Sequence, residues 1–175
     1  MANLRFWGAV AVVASAAVLS AADDIRITPL VREDKVLISC ELANGFTEDV
    51  RAAIASGLRT TFSYNVDLKV EVPIWIDRTI ESAVVTNSVQ YDNLTRRHSL
   101  LRMVDGRVED ALVTEDEAVV RTWMTTLERL PLFKTSLLEP NRDYYVQVSV
   151  RARPQGAALL AWAAISGQAK FTFLR

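Results

Sequence analysis

The stretch FSYNVDLKVEV, residues 62–72, alternates between apolar and polar side chains along its whole length. Successive side chains of an extended strand point to opposite sides, so the apolar set shares one face and the polar set shares the other. The apolar set is Phe62, Tyr64, Val66, Leu68, Val70 and Val72. One dry face and one wet face are typical of a strand in an antiparallel sheet. The chain must therefore build a sheet that is covered on one side only.

Shorter alternating stretches predict further strands. Residues 36–42 alternate in the same way, and we expect them to pair with residues 25–31 through a charged turn at 32–35. The dipeptide Asp105-Gly106 predicts a two-residue hairpin turn, because both positions need positive φ. The register of that hairpin would place Arg102 opposite Glu109. The remaining predicted strands are residues 82–92, 143–152 and 168–174.

Two helices are predicted between the strands. Thr47 is a suitable N-cap for a helix over residues 48–58, whose first turn is acidic. Thr114 and Glu117 have the spacing of a capping box, which predicts a second helix that Pro131 ends. Apolar residues in that helix recur at helical spacing, which indicates a face packed in the core. They are Val120, Trp123, Leu127 and Leu130.

The order of these elements predicts the fold class. Strands and helices do not alternate as a parallel nucleotide-binding sheet requires. We predict one α+β domain over residues 23–175, mainly an antiparallel β-sheet or sandwich of about 7–8 strands. Two amphipathic helices and a short apolar C-terminal segment accompany the sheet. Whether the sheet forms one layer or two stays open at this point.

The first 22 residues have the layout of a secretory signal. Arg5 precedes an apolar run over residues 6–19, and the small residues Ser20, Ala21 and Ala22 follow it. Cleavage after Ala22 would leave a chain exported to the periplasm. The alternative is an uncleaved anchor in the inner membrane. Residues 6–22 are at the lower limit of the roughly 17–25 residues that a spanning helix needs, so cleavage is favoured.

The side chains that most enzymes use are scarce. His98 and Cys40 are the only histidine and cysteine in the chain, which argues against a zinc site or a Ser-His-Asp triad. No glycine-rich phosphate loop is present. The 20 basic and 21 acidic residues argue against nucleic-acid binding. We therefore predict a protein that is not an enzyme and uses no cofactor or metal. A pair of carboxylates that meet in space stays open as a catalytic site.

The predicted strand at 143–152 carries the main candidate interaction surface. Tyr145, Gln147, Arg151 and Arg153 would share its polar face. Aromatic residues and arginine together are typical of protein interfaces. A solvated strand face has a similar composition, so both interpretations stay open.

The apolar run from Ala157 to Ile165, with Trp162 at its centre, is the second candidate. As an exposed loop it would contact a membrane surface or a partner through Trp162. As a buried segment it would close one end of the sheet. The buried alternative is favoured, because large exposed apolar patches are rare on soluble monomers.

Several stretches together resemble one bacterial family. They are QYDNLTRRHSLL, LERLP, YYVQVSVRARP and SGQAKFTFLR. These stretches are similar to the exported family known as domain of unknown function 4390. The resemblance implies an envelope protein with no assigned activity and no established catalytic residues. It also implies an accessory role in envelope signalling, since some members are encoded near a membrane sensor kinase.

Two functions follow as the main hypotheses. The first is a non-enzymatic periplasmic module that binds an envelope protein through the face of Tyr145 and Arg151. The alternative is a carrier of a small ligand or lipid, held in the cavity between a curved sheet and its covering helix. A hydrolase acting through acidic residues is a third hypothesis.

Overall fold

The computed structural model describes residues 24–72, 77–154 and 165–173. These residues form nine strands, two α-helices and a short 3-10 turn at Thr135–Leu137. The strands are β1 (Ile25–Arg32), β2 (Lys35–Leu42), β3 (Thr60–Val70), β4 (Arg78–Asp92), β5 (Arg97–Val104), β6 (Arg107–Thr114), β7 (Thr126–Lys134), β8 (Arg142–Pro154) and β9 (Ile165–Phe173). The helices are α1 (Glu48–Ala55) and α2 (Glu117–Thr125).

The strands form two antiparallel sheets. The larger sheet has six strands in the order β6-β5-β4-β3-β8-β9, and the smaller has three in the order β1-β2-β7. Every strand pair is antiparallel. The predicted class, mainly antiparallel sheet with two helices, is therefore confirmed. The strands form two layers, one from each sheet.

The alternating strand β3 lies in the middle of the larger sheet. Its buried residues, from Thr60 to Val70, alternate with half-buried ones. The buried side faces the smaller sheet and the two helices, and it forms one core with Val36, Ile38 and Val148. The other side of β3 is turned away from this core. The long alternation in the sequence thus separates the inner from the outer face of the larger sheet.

The hairpins form where the turn residues predict them. Glu33 turns β1 into β2 with φ of 54°. Asp105 and Gly106 connect β5 to β6 with φ of 48° and 78°. Short polar residues and glycine tolerate this backbone region best. The hairpin register differs from the predicted one, because a bulge between Arg102 and Met103 places Arg102 opposite Asp110 instead of Glu109.

The second helix is shorter than the sequence predicts. Helix α2 ends at Thr125, and the chain continues directly as β7, which pairs with β2. Leu127 and Leu130 therefore belong to a strand. Two register shifts in the β2–β7 pair allow Leu127, Leu130 and Phe133 to be buried on one side despite their three-residue spacing. This spacing imitates a helix in the sequence.

The only cysteine is part of the core. Cys40 is 1% exposed and lies opposite Leu127. Burial, assisted by the charge of Glu41, raises the pKa of its thiol to about 12. A thiol with such a pKa is a packing residue and not a nucleophile.

Two segments of functional interest lie outside the described residues. They are residues 1–22, which the sequence predicts to be a secretory signal, and the apolar segment with Trp162, of which Ile165 is described as the start of β9. Within the residues described, no helix combines the length and the apolar character needed to cross a membrane.

Candidate interaction surface

Among the described residues, no helix or second sheet packs on the outer face of the six-stranded sheet. The smaller sheet and the helices pack on the inner face, where Tyr144, Val146 and Val148 of β8 are buried. The residues between them point outward, because side chains alternate along a strand. Register pairing places Tyr145 beside Lys69 and Gln147 beside Asp67. The predicted surface residues of β8 therefore all lie on this outer face.

Tyr145 lies within a polar network at one end of this face. Its hydroxyl donates a hydrogen bond of 2.8 Å to Asp77, which also accepts one of 3.2 Å from the amide of Val72. The ring is only 8% exposed. Burial, followed by the hydrogen bond to Asp77, raises the pKa of Tyr145 to about 12. Tyr145 is a supporting residue of the outer face more than an exposed contact residue.

Neighbouring side chains in this network are also paired. Lys69 donates to Gln147 over 2.6 Å, and its Nζ lies 6.0 Å from the ring centre of Tyr145. Lys170 of β9 forms an ion pair of 2.9 Å with Glu71. That contact raises the pKa of Lys170. Charges at this end are satisfied within the protein, which leaves little for a partner to neutralise.

The opposite end of the outer face carries arginines without acidic partners. Arg151 and Arg153 are exposed and lie opposite Ser63 and Thr61 of β3. Arg59, which directly precedes β3, donates to Gln90 over 2.9 Å. Within the described part of the chain, none of the three arginines forms an ion pair. We call Arg59, Arg151 and Arg153 the arginine cluster.

Sequence reasoning identified two members of this cluster and missed Arg59. Arg151 and Arg153 share a face of one strand, which alternation reveals. Arg59 is separated from them by some ninety positions, and the pairing of β3 with β8 sets Thr60, its neighbour in the chain, opposite Pro154, the neighbour of Arg153. The sequence could have indicated Arg59, because it is two positions before Thr61 and four before Ser63, and residues two apart share one side of an extended strand.

A groove lies beside the arginine cluster, where β4, β5 and β6 continue the outer face. Its volume is about 340 Å³. Its lining includes Arg59 and Gln90 at one side and Leu101, Ala111 and Val113 at the other. Val113 is 59% exposed on the edge strand β6. This part of the outer face is therefore an apolar groove with the side chain of Val113 protruding at its edge.

A second cluster of polar side chains is buried on the inner face. Arg102 donates to Asn87 over 2.9 Å and to the carbonyl of Thr126 over 3.1 Å, and its guanidinium lies 4.6 Å from the ring centre of Trp123. Asn87, which is fully buried, donates to the carbonyl of Trp123 over 2.7 Å. Burial lowers the pKa of Arg102. This cluster caps the end of α2, so its role is structural.

His98 and the acidic residues at the start of α2 contact other side chains or the backbone of the fold. His98 is half-buried on β5, and its ring lies 4.7 Å from that of Tyr91. Asp116 caps α2, and Glu117 forms an ion pair of 2.7 Å with Arg51. Among the residues that the structure describes, no three His, Cys, Asp or Glu side chains are grouped to hold a metal ion.

The fold and this surface define a class: a two-layer, mainly antiparallel β protein in which no described element covers the outer face of the larger sheet. Residues 21–160 match the family described as Domain of unknown function (DUF4390), and the chain belongs to that family. The resemblance inferred from the sequence is confirmed. No curated protein and no solved structure matches the chain.

Proposed function

We propose that this protein is an exported, non-enzymatic interaction module of the cell envelope that binds a partner protein through the outer face of β3 and β8. The observation that carries this proposal is the arginine cluster. Arg59, Arg151 and Arg153 lie on one sheet face and form no ion pair with any described residue. A partner that supplies carboxylates would satisfy them.

The chemistry of arginine supports a protein partner. The guanidinium presents several N–H donors in a planar fork that matches a carboxylate, and it is more weakly hydrated than an ammonium group. Arginine is accordingly enriched at interfaces and among the residues that contribute most to binding. The rigid sheet below Arg151 and Arg153 holds their backbones at a constant spacing, which lowers the entropic cost of binding.

Export is part of the same proposal and rests on the N-terminal sequence. Arg5, the apolar run 6–19 and the small residues before Asp23 form the pattern that a signal peptidase reads. A periplasmic location would bring the outer face near the soluble domains of envelope proteins. An accessory role in envelope signalling is the specific form of this function that the family suggests.

A carrier function is the second candidate, and an apolar recess between the layers favours it. Leu42, Val50, Phe62, Val150 and Ile165 are among its lining residues, and its volume is about 190 Å³. Sites for small ligands are usually about 300–1,000 Å³. The recess suits at most a short apolar group, so we place the carrier behind the interaction module.

The proposal is tested by crosslinking in cells, followed by purification of the full-length protein from envelope fractions. We expect a specific envelope protein to be recovered with the wild type, on a chain whose intact mass starts at Asp23. The variants R151A and R153A should each recover about tenfold less partner, which corresponds to about 1.4 kcal/mol.

The matched control is R32A, since Arg32 is exposed on the smaller sheet and away from the outer face. It should recover the partner as the wild type does. Equal recovery with all three variants would disprove the assignment of the surface. A recovered chain with no protein partner but an extra small mass, which denaturation removes, would favour the carrier.

A further inference from the structure

We infer that the partner presents an acidic segment with an apolar side chain, and that this side chain enters the groove while the acid binds the arginine cluster. This inference rests on the proposed function and specifies the partner of the same surface. Its basis is the order of side chains across the sheet.

One row of paired residues crosses five strands. Arg153 of β8 lies opposite Thr61, Thr61 opposite Ser88, Ser88 opposite Leu101, and Leu101 opposite Ala111. The row therefore changes from a cation, through two small hydroxyl residues, to two apolar residues. The middle of the row is low, because the side chains of Thr61 and Ser88 are short and Ser88 is 7% exposed.

The next row repeats this order. Arg151 lies opposite Ser63, Ser63 opposite Thr86, Thr86 opposite Met103, and Met103 opposite Val108. Both rows run from arginine through hydroxyl residues to apolar residues. The surface is therefore basic along β8 and apolar along β5 and β6. A ligand that lies across the strands would meet both properties at once.

The spacing between strands determines how far the arginines of β8 lie from the apolar residues of β5. β8 and β5 are three strand positions apart, and neighbouring strands are about 4.8 Å apart, so the cationic and apolar columns are about 14 Å apart. Two residues four positions apart in an extended peptide are separated by a similar distance, since each residue adds about 3.4 Å. The expected motif is an apolar residue and an acidic residue four positions apart.

The shape of the surface favours a peptide over a bilayer. Membrane-binding proteins insert protruding apolar side chains into the lipid interface. Here Val108 and Val113 protrude at the edge strand β6, at 65% and 59% exposure, while Leu101 is half-buried and lines a groove of about 340 Å³. A receding site accepts a side chain from a partner, as grooves that recognise peptides do.

Arg59 connects the two parts of the surface. It belongs to the arginine cluster and also lines the groove, where its guanidinium donates to Gln90 over 3.3 Å and 2.9 Å. An acid on the ligand would accept from Arg59 at the border of the groove.

The experiment is phage display of random 12-residue peptides against residues 23–175 of the protein. The affinity of the peptide that binds most tightly is then measured. We expect enrichment of an apolar residue with Asp or Glu four positions away. R151A combined with R153A should weaken the selected peptide at least tenfold. V113T, a polar substitution of similar shape at an exposed groove residue, should weaken it several-fold.

The other outcomes distinguish this inference from the proposed function. Enrichment of acids alone, with V113T unaffected, overturns the role of the groove while the interaction module stands. Binding to vesicles of phosphatidylethanolamine and phosphatidylglycerol that R151A and R153A abolish, without peptide enrichment, identifies a lipid surface instead and overturns the inference. If no peptide is enriched and crosslinking recovers no partner, both the inference and the proposed function are rejected.

Discussion

At the scale of single residues, the charged side chains of the outer face form two groups, one paired within the protein and one without a described ion pair. At one end, Asp77 is satisfied by Tyr145 and by the amide of Val72. These hydrogen bonds, that of Tyr145 first, hold the pKa of Asp77 below its usual value. At the other end, Arg151 and Arg153 have no ion pair within the described ranges. The first end stabilises the fold, and the second is the end that we propose for binding.

The lowered pKa of Asp77 predicts a pH dependence. A carboxyl with a depressed folded-state pKa stabilises the fold above its unfolded-state pKa, which is about 3.9, and this contribution is lost as pH falls through the folded value. D77N should therefore have a lower free energy of unfolding than the wild type at pH 7. The difference should disappear as pH falls below about 4. Urea unfolding at a series of pH values measures it.

The control for this prediction is D34N, in the exposed turn between β1 and β2. Y145F should lose much of the same pH-dependent difference, because Tyr145 is the largest cause of the shift. A D77N protein whose deficit stays constant down to pH 2 would contradict the role given to this hydrogen bond.

At the scale of elements, the junction between α2 and β7 shows how tertiary contacts end a helix. The carbonyls of Trp123 and Met124 would accept from the amides of a following turn if the helix continued. Instead, Asn87 donates to Trp123 and the hydroxyl of Tyr64 donates to Met124. Arg102 donates to the same carbonyl of Trp123 over 3.3 Å. Three donors from the larger sheet thus replace the next turn.

The N-terminus of α2 supports a separate prediction. The cap is Asp116, whose carboxylate accepts from the amide of Ala118 over 2.8 Å, and Thr114 accepts from the amide of Asp116 over 3.0 Å. D116A should lower the free energy of unfolding by about 0.5–2 kcal/mol. Chemical denaturation followed by circular dichroism measures this loss.

The comparison variant is E117A. In a capping box, Glu117 would be as important as the cap. In the structure it forms an ion pair with Arg51 on the surface, so its removal should cost no more than about 1 kcal/mol. A larger loss in the free energy of unfolding for E117A than for D116A would support the capping box that the sequence predicts.

Sequence patterns located most elements, and they failed where bulges imitate a helix. The alternation of β3 and β8 depends only on local geometry, and it correctly separates inner from outer residues. The spacing of Leu127, Leu130 and Phe133 results from two register shifts against β2. Nothing near these residues in the sequence reports the partner strand, so the helix was predicted too long.

At the scale of the whole molecule, the two layers approach closely where β1 crosses β9. Gly167 of β9 lies against Ile25 of β1, and a Cβ at Gly167 would lie 2.4 Å from Cγ2 of Ile25. Ile25 is 7% exposed. A glycine at this position therefore allows the smaller sheet to pack on the larger one.

G167A should destabilise the protein by about 1–3 kcal/mol, because the added methyl group overpacks this contact. In a double-mutant cycle with I25A, which removes Cγ2, the two losses should be less than additive. Thermal or urea unfolding of the four proteins measures the coupling. S166A, an exposed neighbour on β9, should change stability by no more than about 0.5 kcal/mol. Additive losses in the cycle would contradict the close approach of the layers.

The sequence by itself predicted every described strand except β7, and for long strands such as β3 also the side that is buried, because period-two alternation and turn chemistry are local properties of the chain. Only the tertiary structure decided which strands are neighbours beyond the two predicted hairpins, where α2 ends and that the sheets form two layers. It also set Arg59, which precedes β3, on the same sheet as Arg151 and Arg153 through the pairing of β3 with β8. Pairing depends on contacts between residues far apart in the chain, and local patterns do not contain that information.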